Sequence, residues 1–260
     1  MTKKLPPYVE GHQLLEGKTV LITAAAGTGI GSATAKRCIE EGARVMISDI
    51  HERRLGEAVA ELEESTGQKV ASRLCNVRDD GQVRELIAAA IDELGVIDVL
   101  FNNAGLGGTT DVVDMTDEQW EAVIDITLNG TFRMTRAVLP HMIERGSGVI
   151  VNNASVLGWR AQVGQAHYAA AKAGVMALTR CSALEVANQG VRINAISPSL
   201  ATHAFLTKVM DQETLDVLTE REAFGRGAET WEVANVVVFL ASDYSSYMTG
   251  EVVAVSSQRA

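Results

Sequence analysis

Short apolar-centred runs alternate along this chain with longer segments of helical period. KTVLIT at 18–23, RVMISD at 44–49, KVASRLCNV at 69–77, IDVLFNN at 97–103, GVIVNNAS at 148–155 and VRINAIS at 191–197 are each about one strand long. Between them the apolar residues recur every three to four positions, which predicts helices at about 32–41, 53–64, 82–94, 117–142 and 166–187. Runs apolar at consecutive positions belong to strands covered on both faces. A strand–helix–strand rhythm closes through right-handed crossovers, so the pattern predicts one parallel sheet with helices on both sides, a doubly wound α/β fold of about seven strands.

The rhythm breaks after Pro198. Residues 201–227 read as a mixed amphipathic insertion, followed by a helix at 230–242 and a last short strand at 251–256. An insertion after the sixth strand lies beside the carboxyl ends of the strands, where such sheets bind ligands, so residues of about 200–228 are expected to form a small helical substrate lid. Residues 1–17 are polar and carry Pro6 and Pro7; they are expected to be an arm lying on the single domain of residues 18–260 or on a neighbouring subunit.

Composition narrows the function classes. Among 260 residues, 33 acids against 23 bases give a formal charge of −10, which disfavours nucleic acid or an anionic membrane as partner and favours a small molecule. No segment reaches the apolar length of a membrane span, and the lysines at the start have no apolar stretch behind them. Cys38, Cys75 and Cys181 are odd in number and too far apart for a metal cluster; they read as reduced thiols of a cytoplasmic protein, with no metal expected.

The stretch TAAAGTGIG, Thr23 to Gly31, follows the first strand and opens the first helix. Glycine is needed where backbone approaches phosphate or where a helix packs closely on a strand, and Gly27, Gly29 and Gly31 meet that need. Ala25 stands where an early glycine is usual and adds one methyl. With Thr28 and Ile30, the loop presents free N–H groups at a helix start to a dinucleotide pyrophosphate. Asp49 ends the second strand, 18 positions after Gly31, where a carboxylate accepts hydrogen bonds from adenosine ribose hydroxyls and repels a 2′-phosphate. The pair points to NAD(H) over NADP(H).

Tyr168 and Lys172 are four residues apart on one helix face, where an ammonium favours phenolate and equips the tyrosine for proton exchange with an alcohol. Ser155 ends the fifth strand 13 residues earlier and can place a hydroxyl beside the same substrate oxygen. His203 falls in the expected lid, Trp159 follows the Ser155 strand, and His167, turned about 100° from Tyr168 on the helix, is expected at a rim or interface.

Taken with the glycine loop, Asp49 and Asn102-Asn103-Ala104-Gly105 at the end of the fourth strand, these residues resemble the short-chain dehydrogenase/reductase family in order and spacing, from about Gly17 to Gly250. The resemblance implies a Rossmann-type fold and hydride transfer between a nicotinamide cofactor and a ketone or secondary alcohol. Tyr168 would be the acid/base, Ser155 would hold the substrate oxygen, and Lys172 would bind the nicotinamide ribose and lower the Tyr168 pKa. Asn103, Ala104 and Gly105 would line the adenosine-ribose side, Asn76 and Val77 would flank the adenine, and Pro198 and Thr202 would contact the nicotinamide end.

The chain departs from the family pattern at three places. The usual Asn-Leu-x-Gly-x-Phe reads Thr127-Leu128-Asn129-Gly130-Thr131-Phe132, so Thr127 stands where the family's Asn holds a proton-relay water. The usual Pro-Gly after the sixth strand is Pro198-Ser199, and the usual Asp-Gly-Gly near the end is Ser256-Ser257-Gln258. Within the family the chain is most similar to 3-oxoacyl reductases and to reductases of acyl-CoA or sterol-derived ketones. Gln189 stands where acyl-carrier reductases often carry Arg, although Arg133 fits their other basic position, so a CoA ester is favoured over an acyl carrier. The alternatives are a 3-oxoacyl-carrier-protein reductase and a catalytically silent NAD-binding regulator. Pairing of the long fourth and fifth helices is expected to build a homotetramer or at least a dimer.

Overall fold

A computed structural model describes residues 5–203, 206 and 212–257. Outside the described residues lie positions 1–4 of the arm, most of 204–211 in the expected lid, and Gln258.

Seven strands form one sheet: β1 (Thr19–Thr23), β2 (Arg44–Asp49), β3 (Ala71–Leu74), β4 (Val99–Asn102), β5 (Gly148–Asn153), β6 (Val191–Pro198) and the final strand β9 (Val252–Val255). Their order is β3-β2-β1-β4-β5-β6-β9, and every pair is parallel. Two-residue strands β7 (Ala201–Thr202) and β8 (Ala228–Glu229) pair separately beside it. The helices are α1 (Ile30–Glu40), α2 (Glu52–Thr66), α3 (Asp80–Leu94), α4 (Asp117–Ile124), α5 (Gly130–Arg145), α6 (Ala166–Val186), α7 (Gln212–Arg221) and α8 (Thr230–Ala241).

Alternation along the strands explains why their runs are apolar throughout. Val20, Ile22, Val45, Ile47, Val99 and Phe101 enter a core shared with α1, α2 and α8, whereas Leu21, Met46 and Leu100 enter a second core shared with α3 and α5. Each face is therefore buried under helices, as a parallel sheet requires. The strand order reverses between β1 and β4, and the carboxyl ends of the strands on either side open there into a crevice.

The helix expected at 117–142 is interrupted. Between α4 and α5 the backbone widens into a π-helical turn over Asp125–Asn129, with Thr127 at its centre. Such a turn shifts one residue out of the regular ladder, which periodicity alone does not register. Asn129 donates to Asp125 Oδ1 at 3.1 Å and stays off the Thr127 side.

The arm is held to the domain at the far end of α1. Arg37, 3% exposed, reaches Glu41 Oε1 and Glu40 Oε2 at 2.7 Å each, the Val9 carbonyl at 3.0 Å and Asn235 Oδ1 at 2.9 Å. Glu41 in turn accepts from the His12 and Leu14 N–H groups. Tyr8 packs edge-on against Trp231 of α8.

Candidate active site

The glycine loop fits a dinucleotide for reasons visible atom by atom. A Cβ on Gly31 would lie 2.6 Å from both the Ala24 carbonyl oxygen and Asn103 Nδ2, so only glycine lets α1 start this close to β1. At Gly29 and Gly27 a Cβ would meet nothing within 4 Å, so that side of the loop is open for a ligand to approach the backbone. The turn's demand for a left-handed residue falls on Ala24, φ +50°, while Ala25 is buried and donates to the Ser48 carbonyl. The alanine that carries the strain is therefore one position before the one singled out by spacing.

Asp49 closes the same end. Its carboxylate accepts from Ala26 N at 3.2 Å and His51 N at 3.0 Å, Arg54 stands 4.0 Å away, and burial raises its pKa against those hydrogen bonds. Thr23 Oγ1 accepts from the Asn103 and Ala104 N–H groups, Asn103 Nδ2 donates to the Ala24 carbonyl, and Asn153 Nδ2 donates to Asn103 Oδ1. The ends of β1, β4 and β5 are thereby locked together. Asn76 folds onto its own turn, accepting from Arg78 N, and Val77 is buried against Gly130.

A cleft of about 500 Å³ runs from Ile30 and Asn103 past Gly105 to Ser155, Tyr168, Lys172 and Pro198. Ser155 and Lys172 are 8% and 2% exposed, and the Ser155 hydroxyl stands beside the Tyr168 phenol. Ser155 Oγ also accepts from Leu157 N at 3.2 Å, the start of a one-turn helix that fixes the hydroxyl. Lys172 Nζ donates to the Asn153 carbonyl at 2.5 Å and lies 5.5 Å from the Tyr168 ring centroid.

Burial raises the Tyr168 pKa, and the Ser155 hydrogen bond opposes it. Burial pulls the Lys172 ammonium down to about 7. A lysine lowered from its ordinary 10.5 destabilises the fold fully below about pH 7, and the cost fades as pH rises towards 10.5. Lys172→Met should accordingly raise the Tm of the cofactor-free protein at pH 6, by roughly 5 °C for about 2 kcal/mol, and by less at pH 10. Scanning fluorimetry at both pH values checks this; a lower Tm at both would show that the ammonium is not a net cost.

Thr127 is fully buried near this group: a Cβ on Gly105 would meet Lys172 Nζ at 3.4 Å and Thr127 Oγ1 at 3.7 Å. Its hydroxyl accepts from Leu106 N at 3.0 Å and donates to the Leu106 carbonyl at 3.3 Å. The one proton it owns is committed to the cleft-lining loop, which it pins to the π turn. Thr202 is not among the cleft residues; its hydroxyl donates to the Ala228 carbonyl and tethers β7 to β8. His167, expected at a rim, is 2% exposed beneath Gly108, because the loop after β4 folds over it.

Sequence reasoning passed over that loop. Gln165 donates to the Gly108 carbonyl at 2.6 Å and to Thr109 Oγ1 at 3.1 Å, and Thr110 N donates to the Gly164 carbonyl, stitching the loops after β4 and β5 into one cleft wall. The glycine run Gly105-Leu106-Gly107-Gly108 was the available signal. Among the described residues no group of three or more His, Cys, Asp or Glu could hold a metal, and no helix is long and apolar enough to cross a membrane.

Comparison with known proteins agrees with this geometry. A family model described as enoyl-(acyl carrier protein) reductase matches residues 24–257. The chain is 60% identical over 254 residues, 97% of each chain, to the Mycobacterium tuberculosis protein named (5R,7aS)-5-hydroxy-7a-methyl-1-oxo-2,3,5,6,7,7a-hexahydro-1H-indene-carboxyl-CoA reductase. It is 41% identical over 241 residues to a 3-oxoacyl-(acyl-carrier-protein) reductase of Thermotoga maritima, covering 93% of this chain and 97% of that one. A crystal structure of a short chain dehydrogenase from Mycobacterium smegmatis superposes with a TM-score of 0.88 at 56% identity, covering 99% of both chains.

Proposed function

Because the chain belongs to the short-chain dehydrogenase/reductase family, and so is an oxidoreductase that uses a nicotinamide cofactor, we propose that it reduces a ketone on a fused-ring, sterol-derived CoA ester. The observation that carries this reading is the 60% identity, along nearly the whole of both chains, to a reductase whose named compound is a fused-ring CoA ester bearing one hydroxyl and one oxo group. The substrate of this chain is accordingly a ring ketone with a second oxygen function.

The cleft supports the chemistry. A bound nicotinamide supplies the hydride that the carbonyl carbon receives. Tyr168 gives its phenolic proton to the carbonyl oxygen, which Ser155 orients by hydrogen bonding, and Ser155 and the Lys172 ammonium stabilise the phenolate left behind. Gly27, Gly29 and the start of α1 would hold the pyrophosphate, Asp49 would accept from the adenosine ribose hydroxyls, and Asn103 to Gly105 would line the adenosine-ribose side. Thr127 positions Leu106 beside that path.

An acyl carrier is the poorer fit. Arg133 is bound to Asp125 Oδ1 at 2.7 Å in a site shared with Arg78, so it is not free to receive an acidic partner, and Gln189 offers no charge. The discriminating experiment compares kcat/KM for a fused-ring ketone presented as its CoA ester with that for acetoacetyl-acyl carrier protein, using NADH. The CoA ester should be favoured by at least about tenfold; a preference for the carrier protein would refute the substrate reading.

The preferred donor in this reading is NADH, since a 2′-phosphate would meet the Asp49 carboxylate and displace its ribose hydrogen bonds. NADH should exceed NADPH in kcat/KM by about tenfold or more, and Asp49→Ala should narrow the gap. A wild-type preference for NADPH would refute it. Trp120 on α4 and Phe132 on α5, which together make up the predicted helix at 117–142, and Leu184 on α6, the predicted helix at 166–187, are exposed, which supports pairing of these helices in a cytoplasmic homotetramer; a monomer by light scattering at micromolar concentration would exclude it.

A further inference from the structure

His203 is a polar side chain in the cleft with no task in the chemistry above. Asn103, Thr109, Asn153, Gln165 and Lys172 are all hydrogen-bonded to protein partners, and Ser155 and Tyr168 serve the reacting oxygen. His203, which follows β7, lines the cleft, and its Nδ1 is sealed from solvent with no hydrogen-bond partner among the described residues. The imidazole is half-buried, and burial lowers its pKa, so it is neutral at physiological pH. Its backbone carbonyl accepts from Leu206 N at 2.9 Å, and Leu200, Leu206 and Leu218 make the adjoining surface apolar.

An unpartnered, desolvated imidazole nitrogen costs about 1–3 kcal/mol, and rotation about Cβ–Cγ can present a ring nitrogen to the cleft. Beside Leu200, Leu206 and Leu218, an occupant of the cleft can satisfy it. We propose that His203 is a specificity-determining residue that hydrogen-bonds the second oxygen function of the substrate, a hydroxyl or ketone remote from the carbonyl being reduced. This inference rests on the fused-ring reading of the substrate. A neutral imidazole suits it, because it can donate to a ketone or accept from a hydroxyl. A site built around such a bond discriminates strongly against an analogue lacking the oxygen.

The test uses a fused-ring hydrindane dione and the two monoketones made by replacing either carbonyl with methylene. Wild type, His203→Leu and His203→Asn are compared by kcat/KM with NADH and, independently of turnover, by calorimetric titration of each ketone into the enzyme–NAD⁺ complex. His203→Leu should weaken dione binding and lower its kcat/KM by about tenfold or more, and change the monoketone that keeps the reduced carbonyl by less than about twofold. His203→Asn, which keeps a short donor and acceptor, should stay within about threefold of wild type on the dione. Equal losses on dione and monoketone, no effect on either, or no dione binding by the wild type would each overturn the inference. Histidine-dependent dione binding without any turnover would support it while refuting the proposed reaction.

Discussion

Tyr168→Phe should lower kcat by at least about a hundredfold while leaving NADH affinity nearly unchanged. The substitution keeps the ring that is packed in the cleft and removes only the hydroxyl that Ser155 engages. General acid–base catalysis by a positioned group contributes about 10²–10⁴-fold, and Ser155, having lost its phenol partner, is too weak an acid to replace it. Because Lys172 and the glycine loop are untouched, the loss should appear in kcat and not in the cofactor's dissociation constant. Single-turnover rates with saturating NADH, alongside fluorescence titration of the cofactor, separate the two. A variant retaining more than about a tenth of the wild-type rate would remove Tyr168 from the role of acid/base.

The largest effect on stability is expected at Arg37, far from the chemistry. Its guanidinium is 3% exposed and is shared among Glu40, Glu41, Asn235 and the Val9 carbonyl, while Glu41 is 1% exposed. Arg37→Leu leaves the Glu41 carboxylate buried without its counter-ion, a loss of about 3–5 kcal/mol. Removing both charges in Arg37→Leu/Glu41→Leu should recover part of that, since the stranded charge is gone, although the His12 and Leu14 N–H groups then lose their acceptor. Urea unfolding of wild type, both single variants and the double variant measures the coupling. A loss below about 1 kcal/mol for Arg37→Leu would mean that the pair does not secure the arm.

The elements and their order were readable because the central strands carry apolar residues toward two cores: Val20 and Ile22 to one, Leu21 to the other. No polar alternation competed with that reading. What periodicity missed is local. The π turn at Asp125–Asn129 shifts the register by a single residue, and the left-handed conformation of Ala24 is held by the turn and by the Asn103 side chain on its carbonyl, a partner 79 positions away.

At the site, the motifs marked Ser155, Tyr168 and Lys172, which line one cleft, and Gly31 and Asp49, at the start of α1 and the end of β2, because each is tied to the end of a strand or the start of a helix by short-range spacing. Two further features depend on contacts between distant loops and left no such trace. The commitment of the Thr127 hydroxyl to Leu106, and the partners Gly108 and Thr109 that Gln165 finds across the cleft wall, were legible only in three dimensions, although the glycine run at 105–108 marked the loop. The Tyr168 pKa belongs to the same class: spacing placed a cation nearby, but burial sets the direction of the shift.

The most direct test of the central claim follows the transferred atoms. The protein is incubated with a fused-ring ketone carried as its CoA ester and NADH deuterated at the transferable position of nicotinamide C4, and the product is analysed by mass spectrometry and NMR. The account predicts a secondary alcohol with one deuterium on the former carbonyl carbon, formed in equal amount to the NAD⁺ released and abolished in step with Tyr168→Phe. Deuterium at any other carbon, as in reduction of a double bond, or an unchanged ketone recovered from saturating enzyme and cofactor, would contradict it.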